Sequence, residues 1–424
     1  MASEAMTPAM PAWRRNLTLG LVGVVAALNY IDRQVFGIFM PQIGRDLQID
    51  HQQLGFIAGI SFSLFYLAAA FPIARLADRG DRPLIIALCV AVWSASTAAC
   101  AFAGSMAQLV LIRVGLAAGE GGAGPASQSL VLELFSKERR TLTLSVLLAA
   151  NAVGLGGGVA IGGWLSQWLD WRQSLIAVGL PGLLVALAVW ILAAEPRRRG
   201  RSLVTPPPQV PMGEVMRTIM GSSSLRWAAL TIILVSSAGF PFLIWSGSFY
   251  QTVHGMTPRE AGAALFVPIT GGLVIGNLLA GWLGDRFGKG RPRYYARLAA
   301  IGLVLAFPLG IAMAQSADAR TSLVLFFFYH LLVTLHLAPI QALSFSQVPV
   351  SMRAMLGACI NMVITLCGVG IGTWLVGALS AYFTARHGDL SLRYALTSVC
   401  FTLPFGAVCA IMAGRRAPGE RDRA

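Results

Sequence analysis

The stretch at 111–129, LIRVGLAAGEGGAGPASQS, carries Arg113 and Glu120 inside a long apolar run with no turn signal between them. Seven residues make two helical turns, so on a helix both side chains leave from nearly the same face. A second apolar run, LNYIDRQ at 28–34, holds Asp32 and Arg33. A charge inside hydrocarbon costs from about three to more than ten kcal/mol and survives only when paired or facing water. Two acids and two arginines on two helices therefore point to one shared site. Such a set offers a carboxyl that takes up a proton beside a guanidinium that holds an anion. A static salt bridge between the two helices is the plainer alternative, although buried ion pairs seldom offset their own desolvation.

Asn29, Asp32, Arg33 and Phe36 form one stripe at helical spacing, with Tyr30 at its edge. Asp32 and Glu120 are the candidates for proton coupling; Arg33, Arg113, Asn29, Tyr30 and Phe36 are candidates for binding substrate. Glu120 lies among Gly119, Gly121, Gly122 and Gly124, where helices approach closely and backbone can line a cavity. Burial and a neighbouring arginine pull its protonation in opposite directions, so an anion that draws the arginine away changes that balance. A proton and an anionic group would then enter together. The second part of the chain has no charge in the middle of its apolar runs, only polar residues such as Asn277, His330, His336 and Asn361. His330 and Asn361 are candidates to face a cavity. Phe240 and Trp245 are candidates for an aromatic wall, with Phe249 and Tyr250 beside them. Charges from one half and an apolar wall from the other suit an amphipathic anion, lysolipid- or sphingoid-phosphate-like, or an organic acid.

These residues need elements to carry them. The 424-residue chain is 56% hydrophobic and only 12% charged, against about 25% charged in soluble domains. With a mean hydropathy of +0.69, it reads as a multi-pass membrane protein. Twelve spans meet the twenty-residue criterion: 16–43, 53–77, 83–104, 107–133, 140–166, 171–194, 225–250, 259–283, 294–315, 321–348, 352–384 and 391–413. The first is too long to be a signal-peptide core. With both termini and the even-numbered connections on one side, that side holds 24 of the 32 Lys and Arg, the other six, and the spans two. The positive-inside rule thus predicts both termini in the cytoplasm. Only two of the basic residues are lysine, which hints at an arginine-biased bacterial genome and an inner, plasma-membrane location.

The prolines and arginines of 195–211 cannot span a membrane and predict a cytoplasmic linker at 195–224, between a first bundle at 1–194 and a second at 225–424. An internal repeat supports the division. ARLADR at 74–79 matches GWLGDR at 281–286, offset by 207, and GVAIGGWL at 158–165 matches GVGIGTWL at 368–375, offset by 210. The expected fold is all-α: two six-helix bundles related by a pseudo-two-fold axis, rocking about a midplane site.

The loop ARLADRGDR at 74–82, its echo GWLGDRFG at 281–288, and Arg113 with Gly119 resemble signature motifs of the major facilitator superfamily. Within it, 28–34 and GEGGAGP at 119–125 look most like the spinster-type branch and its bacterial relatives, and are also similar to organic-anion/proton symporters. Ala74 and Asp81 stand where the superfamily favours glycine. The resemblance implies proton coupling through Asp32, Glu120 and Arg113. It also implies a cytoplasmic latch at Asp78, Arg79 and Arg82, mirrored by Asp285 and Arg286, with Glu133 and Arg139 as partners, and a monomer in membrane lipid.

Several classes are disfavoured. The basic residues are spread along the chain rather than massed on a domain, which argues against nucleic acid despite a formal charge of +14. The glycine run at 154–163 has no preceding strand and there is no Walker motif, so no nucleotide site is expected. The six cysteines have no metal-ligand spacing and the five histidines are scattered, so neither a metal nor an enzyme site is expected. The proton gradient replaces a cofactor. A proton/drug antiporter, a small organic-anion/proton symporter and a non-transporting sensor remain as alternatives.

Overall fold

A computed structural model describes residues 11–135, 139–196, 211–288 and 291–417, apart from the side chains of Asp78, Arg79 and 140–142. Twelve long helices and one short one account for nearly all of them. The first half comprises α1 (Ala12–Leu47), α2 (51–79), α3 (Arg82–Phe102), α4 (Met106–Leu134), α5 (Arg140–Leu165) and α6 (Trp171–Leu192). The short helix α7 (Met212–Gly221) precedes the second half, with α8 (Ser223–Thr252), α9 (Pro258–Gly288), α10 (Pro292–Gln315), α11 (Ala319–Phe345), α12 (350–387) and α13 (391–416). Among the described residues, ten stretches are long and apolar enough to span a membrane on length and hydropathy alone. One of these, Val350–Arg416, contains both α12 and α13, and α4 is missing from the ten. Glycines, Arg113, Glu120 and other polar residues dilute the hydropathy of α4.

Short connections force antiparallel neighbours, and local chemistry marks their ends. Asp50, Asp170 and Thr257 begin α2, α6 and α9 with reciprocal capping boxes to Gln53, Gln173 and Glu260. Ser105, Ser222 and Asp318 cap α4, α8 and α11 through single side-chain bonds. Asp81 caps α3, with Pro83 in its first turn. In lipid, helix packing depends on close backbone approach, and the repeat glycines supply it symmetrically. A Cβ on Gly158 of α5 would lie 2.8 Å from the Ile31 carbonyl of α1, and one on Gly368 of α12 would lie 3.1 Å from the Ser236 carbonyl of α8. First and fifth helices thus meet the same way in both halves.

The bundle ends on the linker side are tied within each half. Arg82 is fully buried and bonds Glu133 of α4 at 2.6 Å and Glu195 beyond α6 at 2.5 Å. The Thr18 hydroxyl accepts from the Ala194 amide at 2.9 Å. Glu195 and Pro196, expected in the linker, are therefore buried parts of the first bundle. In the same way α7, also expected in the linker, docks on the second bundle through buried Val215 and a Thr218–Met352 contact. The rest of the linker, 197–210, lies outside the described residues.

Between the halves, hydrogen bonds run only from the middle of the membrane to the end opposite the linker, among the described residues. Gln251 of α8 donates to the Ile38 carbonyl of α1 at 2.6 Å, and Ser63 of α2 donates to the Thr365 carbonyl of α12 at 3.0 Å. On α9, Thr270 donates to the Ala152 carbonyl of α5 at 3.4 Å. The molecule is closed on that far side.

Candidate functional site

The charged cluster forms at the middle of the first half, where α1, α2, α3 and α4 converge. Arg33 of α1 donates from Nε to Glu120 Oε2 of α4 at 2.6 Å and from NH2 to Asn29 Oδ1 at 3.2 Å. Its guanidinium is walled by aromatic rings, with Phe62 at 4.5 Å, Tyr66 at 5.2 Å and Tyr30 at 5.3 Å from the ring centroids. Cation–π contact in a desolvated setting is worth up to about 2 kcal/mol, so the rings hold the arginine while Glu120 balances its charge. Glu120 is 1% exposed, whereas the Arg33 side chain is 15% exposed and forms the open edge of the site.

Arg113 is arranged differently. Its guanidinium stacks on Phe36 at 3.9 Å, the residue is 3% exposed, and its Nε has no partner. It forms no ion pair among the described residues; Glu120 pairs with Arg33 instead. Asp32 is 4% exposed and its Oδ1 has no partner, and the nearby Thr97 hydroxyl of α3 donates within its own helix to the Trp93 carbonyl at 3.1 Å. The two acids and two arginines are all buried or nearly so in this region, but only one close pair is made, Arg33 with Glu120. An acid and an arginine are left over, both buried and both with polar atoms available.

The second half contributes less directly. Phe240 on α8 is half-buried, touches both of the molecule's buried apolar clusters and packs against Gly368. Trp245, expected in an aromatic wall, is fully buried in the far-side seam, where its indole donates to the Thr373 carbonyl at 3.0 Å. His330 sits in the core of the second bundle, with Nδ1 3.1 Å from the Phe326 carbonyl and its ring against Phe326 and Tyr329. Its Nε2 is buried without a partner. Asn361 is exposed on α12.

Of the latch residues, Arg82 and Glu133 meet, but inside the first half. Asp285 and Arg286 are exposed on a π-helical end of α9, and Arg139 is exposed at the start of α5. None of these three side chains makes an ion pair among the described residues. Asp78 and Arg79 fall among the undescribed side chains. Among the described residues no group of His, Cys, Asp and Glu has the arrangement of a metal site, and the six cysteines are unpaired.

Three contributors escaped the sequence reading. Phe62 and Tyr66 are four residues apart in an apolar run, indistinguishable from lipid-facing aromatics until α2 is placed beside α1. Glu195 had a usable signal: an acid at the linker-side end of the sixth span lies at the same membrane level as Arg82.

Twelve spanning helices in two repeat-related halves, with charges buried at mid-membrane, define a carrier rather than a soluble enzyme. The description of the Major Facilitator Superfamily matches residues 22–373, and the chain belongs to that family of membrane transporters. An MFS-type efflux pump of Mycolicibacterium smegmatis is 28% identical over 411 residues, covering 94% of this chain and 92% of that protein. Protein spinster homolog 1 of Xenopus laevis is 25% identical over 373 residues, covering 83% of this chain and 70% of that one. Among solved structures, a bacterial homologue of the human lysosomal transporter Spinster, inward-facing and unoccupied, superposes with a TM-score of 0.85. It is 24% identical, over 96% of this chain and 98% of that one.

Proposed function

We propose that the protein is a proton-coupled carrier of an organic or amphipathic anion, working by alternating access, with Glu120 as the coupling acid and Arg33 and Arg113 as the anion-binding cations. The Arg33–Glu120 pair carries the reading, because Arg113 stands unpaired beside it. With both carboxyls ionised, Asp32, Glu120, Arg33 and Arg113 sum to zero. Protonating Glu120 frees Arg33 and leaves one net positive charge, and an anion restores neutrality. In a low-dielectric site that balance strongly favours joint entry of proton and anion. Asp32, without a salt-bridge partner, is a second group that can carry a proton.

The positive-inside rule supports placing the linker and both termini in the cytoplasm of a bacterial inner membrane. The far side is then the outside, and the closed far seam makes this an inward-facing conformation. The substrate class draws support from relatives: a D-galactonate transporter and a probable L-galactonate transporter of Escherichia coli, both sugar-acid carriers by name, and the spinster proteins. The Mycolicibacterium smegmatis efflux pump favours a second reading, proton-driven export, which reverses the direction of movement at the same site.

A thermal-shift screen of purified protein tests the substrate class, comparing lysophosphatidate and sphingosine phosphate with galactonate and glucuronate at pH about 5.5 and about 7.5. A ligand at 100 times its dissociation constant stabilises the folded state by about 2.7 kcal/mol. An anion should raise the melting temperature more at the lower pH, because binding and protonation favour one another. Stabilisation by cationic drugs alone would contradict the proposal.

A further inference from the structure

The expected latch residues all lie at the linker-side mouth, yet the contact that closes this molecule is elsewhere. At the far side α2 and α12 cross with π-helical segments on both partners, Phe56–Ser61 and Ile364–Gly372. A π-helical segment in a long α-helix often marks a functional position, and here two face one another across the halves. A Cβ on Gly59 would lie 2.5 Å from the Gly370 carbonyl, and one on Gly55 would lie 3.0 Å from the Thr373 carbonyl. Only glycine lets these backbones meet.

At the outer end of this crossing a polar chain spans the seam. His51, first residue of α2, has Nδ1 2.7 Å from Ser380 Oγ of α12, and Ser380 Oγ is 2.9 Å from Ser391 Oγ at the start of α13. Ser380 and Ser391 are fully buried, so neither hydroxyl has water as an alternative partner. The His51 ring stands edge-on to Trp245 of α8, centroids 5.6 Å apart. A cleft of about 760 Å³ opens just outside, lined by Arg45, Asp50, His51, Gln251 and Asp389. His51 is therefore the point where the first half is joined by side chains to three helices of the second, at the floor of the outer cleft.

We infer that His51, Ser380 and Ser391, backed by Trp245, form the outer gate of the transport cycle: they hold the far side shut and must part for the site to face outward. The inference rests on the alternating-access reading. Removing His51 takes away the only side-chain acceptor or donor that the first half offers to the buried serines among the described residues, while leaving the central charges untouched. A net hydrogen bond of about 1 kcal/mol corresponds to roughly fivefold in an equilibrium constant.

Double electron–electron resonance between spin labels at Gln48→Cys and Asp389→Cys, on opposite walls of the cleft, in protein reconstituted into nanodiscs, reads the gate directly. His51→Ala and Ser380→Ala should each raise the long-distance, outward-open population roughly fivefold, and the double variant should open little further than either single one, because both break one chain. Gly59→Trp serves as reference, since a bulky side chain there cannot coexist with the closed seam. If Gly59→Trp opens the cleft and His51→Ala does not, the gate assignment is overturned while the rocking motion stands. If a folded Gly59→Trp protein stays closed, alternating access at this seam falls and the gate with it.

Discussion

Arg33 and Arg113 are chemically alike and sit in one cluster, but their surroundings differ. Arg33 is neutralised by Glu120 at 2.6 Å and enclosed by three aromatic rings. Arg113 rests on Phe36 with an unsatisfied nitrogen. Arg113→Ala should therefore weaken anion binding by at least tenfold with little loss of stability, measured by ligand-induced thermal shift. Arg33→Ala strands Glu120 as a buried, unpaired acid, so it should lower the melting temperature, and Arg33→Ala with Glu120→Gln should recover part of that loss. Breaking one partner of a buried pair costs about 3–5 kcal/mol, most of it from the partner left behind. The residue types were legible in the sequence, because four charges inside apolar runs have no other economical explanation. Which arginine takes which acid was not. Two residues on one helix face two turns apart suggest a pair, but helix packing brought Arg33 of α1 closer to Glu120 than its own neighbour Arg113.

Among the helices, twenty-residue apolar runs and the repeats offset by 207 and 210 made the twelve spans and their division into halves legible in the sequence. Trp245 shows where that legibility ended. An aromatic on a spanning helix can face lipid, a cavity or a seam, and only the crossing of α8 with α2 and α12 decides among them. Glu195 shows the same limit from the other side, since a segment rich in proline and arginine reads as linker even where its first residues are buried. The Arg82–Glu133–Glu195 cluster staples the start of α3 to the ends of α4 and α6, with the Arg82 guanidinium fully buried. Arg82→Ala leaves two carboxylates without their common cation, so it should destabilise the first half by about 3–5 kcal/mol. Thermal unfolding in detergent would show a fall of many degrees, and Arg82→Lys should recover little of it, because one ammonium cannot reproduce a bidentate fork.

For the whole molecule, asymmetry between the halves is the organising fact. The first half holds every mid-membrane charge, and the second supplies mainly apolar surface and the helices that close the far side. In the proposed cycle, pseudo-symmetric packing lets the halves rock as units, and the unequal chemistry gives that motion something to couple to. The proposed coupling turns on one carboxyl, Glu120. Its most direct test is proton movement into proteoliposomes loaded with pyranine, on addition of whichever anion stabilises the protein, followed by counterflow of the same anion without a gradient. Wild-type protein should acidify the lumen as the anion enters, and Glu120→Gln should abolish this proton signal while counterflow continues. A Glu120→Gln protein that still moves protons with the anion at the wild-type rate would contradict the proposed coupling.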